Sequence, residues 1–254
     1  MPWNPEQYHK FERERAAPFE DLIRLLRVRP NLRVIDLGCG TGELTSRLAE
    51  MLPQSDVTGL DSSTEMLAKA ESYTRPGLRF VQGNLATIEG HWDVVFSHAA
   101  IQWVDRHRQL IPRLFSLVAP GGQLLIQQPS NHNHPSHRLV RELATQEPFR
   151  TQLDGWVRIS PVLTIEEYAQ MLFGEQAEEI NVLEKVYPHV LENADAIAEW
   201  TSGTLLVPYF ERLGSLRDAF MQAYRERLRE QFPESPVFYG FLRILMAATK
   251  PQQV

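Results

Sequence analysis

Three glycines at alternate positions, Gly38, Gly40 and Gly42, follow directly on the apolar run Leu32-Arg33-Val34-Ile35-Asp36-Leu37. A short apolar run that ends in glycines and leads into helix-forming residues reads as a buried strand feeding a ligand-binding turn. Gly38 allows a tight turn, Gly40 lets a ligand approach the backbone closely, and Gly42 permits close packing. The G-x-G-x-G spacing departs from the dinucleotide fingerprint G-x-G-x-x-G and from the phosphate loop, which needs Gly-Lys followed by Ser or Thr. Asp61 stands 25 positions after Asp36, at the end of the next apolar run. An ionised carboxylate offers only acceptors, so an acid at this place suits the paired hydroxyls of a ribose. Asp61 also opens the run Asp61-Ser62-Ser63-Thr64, where an N-cap for the following helix is the competing reading; Ser62 or Ser63 can supply that cap instead.

These groups need a scaffold, and the hydrophobic pattern describes one. Strands are expected at 32–37, 56–60, 78–82, 92–97 and 123–127, with helices at 43–52, 64–72 and 109–118, the last stopped by Pro120-Gly121-Gly122. Strands and helices in alternation predict a doubly wound, mostly parallel α/β sheet with right-handed crossovers. The first 30 residues read as helix, broken into two pieces at Pro18. Beyond residue 128 the pattern changes to a polar loop, helices at 136–147, 164–173, 195–201 and 215–231, a strand-like stretch at 182–190 and a strand at 240–249. Thr164 and Glu167 form a capping-box pattern at the start of the second of those helices. The expected organisation is an N-terminal helical cover over 1–30, a sheet core over 31–130, a helical subdomain or lid over 131–235, and a return to the sheet over 236–254.

Ile35-Asp36-Leu37-Gly38-Cys39-Gly40-Thr41-Gly42 and Gly59-Leu60-Asp61-Ser62-Ser63-Thr64-Glu65-Met66-Leu67 resemble the first and ribose-binding motifs of the class I S-adenosylmethionine-dependent methyltransferases. The resemblance covers residues 32–127 and implies a Rossmann-like fold and S-adenosyl-L-methionine as cofactor. It implies that Asp36, Gly38, Gly40 and Gly42 line the methionine part of that cofactor. Asp61 and Ser62 would serve its ribose, Met66 would pack on the adenine, and Asn84 and Leu85 would sit at the adenine edge. Many members carry Asp where this chain has Asn84, whose side-chain carbonyl also accepts a hydrogen bond. Ser97 and His98 end the fourth strand and face the crevice where ligands bind in such sheets. Tyr8 and Arg15 would cover the site from the N-terminal segment.

The segment Trp3-Asn4-Pro5, with Tyr8, Phe11 and Arg15 after it, resembles the start of the trans-aconitate 2-methyltransferases. Gln102-Trp103 and the loop Gln128-Pro129-Ser130-Asn131 are similar to the same family, although no arginine follows Ser202-Gly203-Thr204 where members often place one. The resemblance implies methyl-ester formation on a small polycarboxylic acid. Such a reaction needs no catalytic base, because a carboxylate is already ionised near neutral pH. The enzyme's work is positioning, and the remaining carboxylates call for arginine forks. Arg15, Arg158 and Arg243 are the candidate clamps, with Gln102, Trp103, Trp156 and Tyr239 shaping the pocket. Each has a plainer role available, as a surface ion-pair partner or a core aromatic; Arg243 lies in an apolar run, where a charge demands a counter-group. Two other readings compete: a malonyl-carrier-protein O-methyltransferase, and a cofactor-binding regulatory subunit without catalysis.

Composition narrows the remaining choices. The 254 residues are 43% hydrophobic and 23% charged, as in ordinary globular chains. A formal net charge of −6 gives no support for a nucleic-acid binder. The chain lacks a membrane-length apolar stretch and opens without a secretory apolar segment, so a cytoplasmic protein with no membrane contact is expected, as monomer or small homo-oligomer. Cys39 is the single cysteine, which excludes an intramolecular disulfide and a multi-thiolate zinc site. It reads as a small packing residue, and His132, His134 and His137 read as a solvated loop and not as a metal site.

Overall fold

The strands are β1 (Arg33–Leu37), β2 (Asp56–Asp61), β3 (Leu78–Gln82), β4 (Trp92–His98), β5 (Val118–Pro129), β6 (Glu178–Leu191) and β7 (Val237–Thr249). The computed structural model describes residues 12–252, with side chains from Ala17 onward, and within them the strands form one sheet in the order β3-β2-β1-β4-β5-β7-β6. The pairs β1–β2, β1–β4, β2–β3 and β4–β5 are parallel, and β5–β7 is antiparallel. The mostly parallel α/β fold expected from the alternation is therefore present.

The helices are α1 (Glu12–Ile23), α2 (Glu43–Met51), α3 (Thr64–Ala70), α4 (His107–Ser116), α5 (Pro135–Ala144), α6 (Phe149–Gln152), α7 (Ile165–Gly174), α8 (Ala194–Ser202), α9 (Val207–Leu213) and α10 (Arg217–Gln231). The chain divides into two compact units. A sheet unit comprises Ala16–Pro129, Pro161–Lys185 and the chain from Arg243, and a helical unit includes Ser130–Ser160 and Val186–Leu242.

Inside the sheet unit, alternate residues of each strand feed two apolar layers. Ile35, Leu37, Val95 and Ile126 pack on one side with Tyr168 and Ile244. Val34, Phe96 and Leu125 pack on the other with Phe19, Leu22 and Leu245. This double burial is why the central strands are apolar throughout instead of alternating. The helical unit has its own core, built on Phe149, Ile197, Tyr209, Phe220, Tyr224 and Tyr239.

Several local expectations are corrected. Pro18 does not break the first helix; it lies within α1. A proline inside a helix costs about 3 kcal/mol, but Phe19, Leu22 and Ile23 are buried in the core, and each such burial contributes about 1.5–3 kcal/mol. Pro120-Gly121-Gly122 does not end a helix. α4 stops at Ser116 and the three residues lie within β5, where the pairing with β4 shifts register between Trp92 and Val94. Gly121 has φ +74, and a Cβ on Gly122 would come within 2.6 Å of the Asp93 carbonyl oxygen. Pro161–Lys185 groups with the sheet unit. The capping box at α7 forms as read, with Thr164 accepting from the Glu167 N–H and Glu167 accepting from the Thr164 N–H.

Candidate functional site

The turn after β1 is held by its neighbour strand. The N–H groups of Gly38 and Cys39 both donate to the Leu60 carbonyl, at 2.7 and 3.0 Å. Gly38 has φ +82, and a Cβ there would lie 2.2 Å from that of Ala100, so no other residue fits. Asp61 ends β2 and ties two loops together. Its Oδ2 accepts from the Gly40 N–H and its Oδ1 from the Ser63 N–H, each at 2.9 Å. Ser63, not Asp61 or Ser62, caps α3, its hydroxyl accepting from the Met66 N–H at 3.3 Å. Asp61 stays half-exposed, and each carboxylate oxygen keeps lone-pair capacity for a further donor.

Asp36 lies beneath the turn and is 3% exposed. Its Oδ2 accepts from the Thr45 hydroxyl at 2.5 Å, while its Oδ1 meets no partner among the described residues. Burial pushes this carboxyl up to about 7, against the Thr45 hydrogen bond and with a smaller contribution from Asp61. A Cβ on Gly40, at φ +56, would meet nothing within 4 Å. The combination is an open backbone cradle, a buried carboxylate oxygen lacking a donor, and a half-exposed carboxylate at the rim. It suits a ligand with hydroxyls at one end and positive charge at the other. Cys39 is buried, and burial followed by the two carboxylates raises its thiol far above the ordinary range. It stays protonated and serves as packing.

The other sequence candidates have defined places. The Ser97 hydroxyl donates to the Leu37 carbonyl at 2.8 Å, locking the ends of β4 and β1 together. His98 meets Phe19 edge to face at 5.8 Å between ring centres. Met66 and Leu85 are half-buried and Ser62 is exposed. Asn84 Oδ1 accepts from the Ala86 N–H at 2.8 Å, which fixes the turn after β3. Gln102 and Trp103 lie in the short turn Ile101–Trp103, where Gln102 Nε2 donates to the Ala99 carbonyl at 2.6 Å and Trp103 is 40% exposed. Arg243, 5% exposed, pairs across the ladder with Pro129 at the end of β5. All of these belong to the sheet unit. Tyr8 lies outside the described residues, as does the side chain of Arg15.

Trp156, Arg158 and Tyr239 belong to the helical unit. Trp156 packs edge-on to Tyr209 at 5.0 Å, with the Arg212 guanidinium 4.0 Å over its ring. The Arg158 N–H donates to the Tyr209 hydroxyl at 3.2 Å. Tyr239 is fully buried, its hydroxyl 3.2 Å from Ser136 Oγ. The expected solvated histidine loop is corrected. His134 caps α5 by accepting from the Ser136 N–H and stacks on Phe232. Burial lowers His134 to about 4 and His137 to about 3.

Sequence reasoning passed over Thr45, Gln127, His107 and Tyr168, and took Gln128 only as part of a loop similar to the family's. Only the glutamines left a signal: two adjacent amides directly after Leu124-Leu125-Ile126.

A profile of the methyltransferase domain family matches residues 29–182. A trans-aconitate 2-methyltransferase of Deinococcus radiodurans is 48% identical, covering 99% of this chain and 100% of its own. A second protein of that name, from Acidovorax ebreus, is 36% identical, covering 98% of each chain. The crystal structure of the YcgJ protein of Bacillus subtilis shares the fold, with a TM-score of 0.61 at 17% identity over 94% of this chain and 100% of its own. With the glycine turn, the Asp61 clasp and this near-complete likeness together, the chain belongs to the trans-aconitate 2-methyltransferase family of methyltransferases.

Proposed function

We propose that this protein is an S-adenosyl-L-methionine-dependent carboxyl O-methyltransferase that esterifies a small polycarboxylic acid, trans-aconitate. The observation that carries the cofactor side is the clasp between Gly40 and Asp61 above the half-satisfied Asp36. Asp61 would take the ribose hydroxyls on its remaining lone pairs. The Gly38–Gly42 backbone would lie against the amino-acid portion, and Asp36 would face its positive charge. Ser62 would join Asp61 at the ribose, Met66 would pack on the adenine with Asn84 and Leu85 at its edge, and Ser97 and His98 would close the strand ends. When bound, the cofactor supplies an electrophilic methyl on its sulfonium, which a carboxylate oxygen takes in line as the thioether leaves.

The protein's own residues then have a modest chemical task. The acceptor is ionised near neutral pH, so no side chain needs to remove a proton. Alignment within about 3–3.5 Å is what remains. Arg243 supports an anionic substrate: it is an almost fully buried guanidinium at the sheet edge where β1, β4 and β5 end. Gln102 and Trp103 would shape the pocket from the turn after β4. Trp156, Arg158, Tyr239, Tyr8 and Arg15 are proposed as further substrate-holding or covering groups.

The test is transfer of labelled methyl from S-adenosylmethionine to trans-aconitate, cis-aconitate, isocitrate and malonyl-carrier protein. The expected product is a base-labile ester of trans-aconitate. Transfer to the carrier protein alone, or cofactor binding with no transfer to any acid, overturns the substrate assignment.

A further inference from the structure

β5 carries two adjacent glutamines, Gln127 and Gln128, both with no exposed surface. Successive strand residues face opposite sides of a sheet, and the two amides fare differently. Gln128 Nε2 donates to the Tyr168 hydroxyl at 2.7 Å. Gln127 shares its face with its ladder partners His98 on β4 and Leu245 on β7. Neither its Nε2 nor its Oε1 meets a hydrogen-bond partner among the described residues. A buried amide left without partners costs about 1–3 kcal/mol by mutational measures. Leucine or methionine would fill the same volume without that cost. The fold gains nothing from an amide here, so its use lies with a ligand.

Position indicates which ligand. Pro129, two residues on, pairs with Arg243, so Gln127 and Arg243 lie on one face as diagonal neighbours on adjacent strands. Such diagonals are about 7–8 Å apart at the backbone, within reach of long side chains. Strands lie about 4.8 Å apart, which puts β5 roughly 10 Å from β1 and its glycine turn. That distance matches the far end of a small acid whose near end meets the transferred methyl.

We propose that Gln127 and Arg243 together receive one carboxylate of the acid, a carboxylate other than the one esterified. The guanidinium provides the charge and the fork. Gln127 Nε2 donates to the same carboxylate, and its Oε1 is placed to accept from the guanidinium turned toward that group. The inference rests on the reading of the substrate as a polycarboxylate.

Gln127→Met and Gln127→Glu in the full-length protein test it. Trans-aconitate binding is followed by calorimetry with S-adenosylhomocysteine present, and transfer by labelled ester. Gln127→Met is expected to raise Kd and KM for trans-aconitate about 10–100-fold. Its kcat should stay within about threefold, its affinity for S-adenosylhomocysteine should be unchanged, and its Tm without acid should be equal or higher, since an unsatisfied amide has been removed. Gln127→Glu should abolish acid binding by charge repulsion while still binding S-adenosylhomocysteine. Unchanged KM in Gln127→Met overturns the inference and leaves the substrate reading standing. A lowered Tm accompanied by loss of cofactor affinity also overturns it, by making Gln127 structural. A wild-type protein that neither binds nor methylates trans-aconitate removes the substrate reading itself, and the inference with it.

Discussion

The Tyr168 hydroxyl lies 2.5 Å from His107 Nδ1, and it can only be the donor in that contact. Its lone pairs are already occupied by the Gln128 amide at 2.7 Å and the Leu163 N–H at 3.1 Å. The imidazole therefore accepts at Nδ1 and donates from Nε2 to the Ile101 carbonyl at 2.9 Å. A single neutral tautomer of His107 thus connects α4, α7 and β5 to the turn that carries Gln102 and Trp103.

Tyr168→Phe leaves two buried groups, His107 Nδ1 and the Gln128 amide, and the partly buried Leu163 N–H without their shared partner. We expect a loss of about 2–4 kcal/mol in denaturant unfolding. Because the Ile101–Trp103 turn loses its tether, KM for the acid should rise more than Kd for the cofactor. A loss below about 1 kcal/mol would mean that the hydroxyl's contacts are readily replaced by water.

Acid should destabilise the protein through its histidines. Burial is the leading cause that lowers His107 below its ordinary 6.5, and it likewise lowers His134 and His137 to about 4 and 3. The folded state therefore binds fewer protons than the unfolded one below pH 6.5. Stability present above that pH is lost as pH falls toward the folded values. Urea midpoints measured between pH 7 and 5 should fall, and His107→Gln, which titrates in neither state, should show a shallower fall. A midpoint that is flat across this range contradicts the assignment of His107 as a buried neutral base.

Asp36 works in the opposite sense. Its folded value is raised to about 7 from 3.8, so the folded state holds the proton more tightly and the carboxyl's contribution is lost as pH rises between those values. Binding a cationic ligand favours the ionised form. Affinity for S-adenosylmethionine should accordingly increase from pH 6 to 8 with release of a proton, measurable by calorimetry in buffers of different ionisation heat. Asp36→Asn should abolish the proton release, and release of equal size in that variant would exclude Asp36 as its source.

Much of this arrangement was legible in the chain. The glycine turn, Asp61 and the Thr164–Glu167 box are local patterns whose partners lie a few residues away or on the next strand. The parallel sheet followed from alternation alone. What escaped was long-range: His107 and Tyr168 are 61 positions apart, and no spacing rule joins them. Pro18 and Pro120 misled because each is a breaker by local propensity, while burial of Phe19 and Leu22 and the register shift at Trp92 decide the outcome. The Gln127–Gln128 pair was visible as polarity within an apolar strand, but only burial and missing partners separate their roles.

Asp61 combines two functions that substitution can separate. Asp61→Ala removes the acceptors for Gly40 N–H and Ser63 N–H as well as the proposed ribose contacts. Cofactor affinity should fall by about 1–3 kcal/mol, with a lowered Tm. Asp61→Asn keeps one carbonyl oxygen, so only one of the two backbone donors stays satisfied. It should retain more stability than alanine yet bind the cofactor weakly. Equal cofactor affinity in wild type and Asp61→Ala by calorimetry would remove Asp61 from the site.

Gly40→Ala addresses the cradle without disturbing the protein around it. No atom lies within 4 Å of the added methyl, so the fold pays only for φ +56. That strain is about 1–2 kcal/mol for a residue with a Cβ. The methyl would occupy the space proposed for the amino-acid end of the cofactor. Cofactor affinity should therefore drop at least tenfold while Tm falls by only a few degrees. Gly38→Ala gives the contrast, because its methyl would meet Ala100 at 2.2 Å and disrupt the turn itself. A Gly40→Ala protein that binds S-adenosylmethionine as tightly as wild type would place the ligand elsewhere.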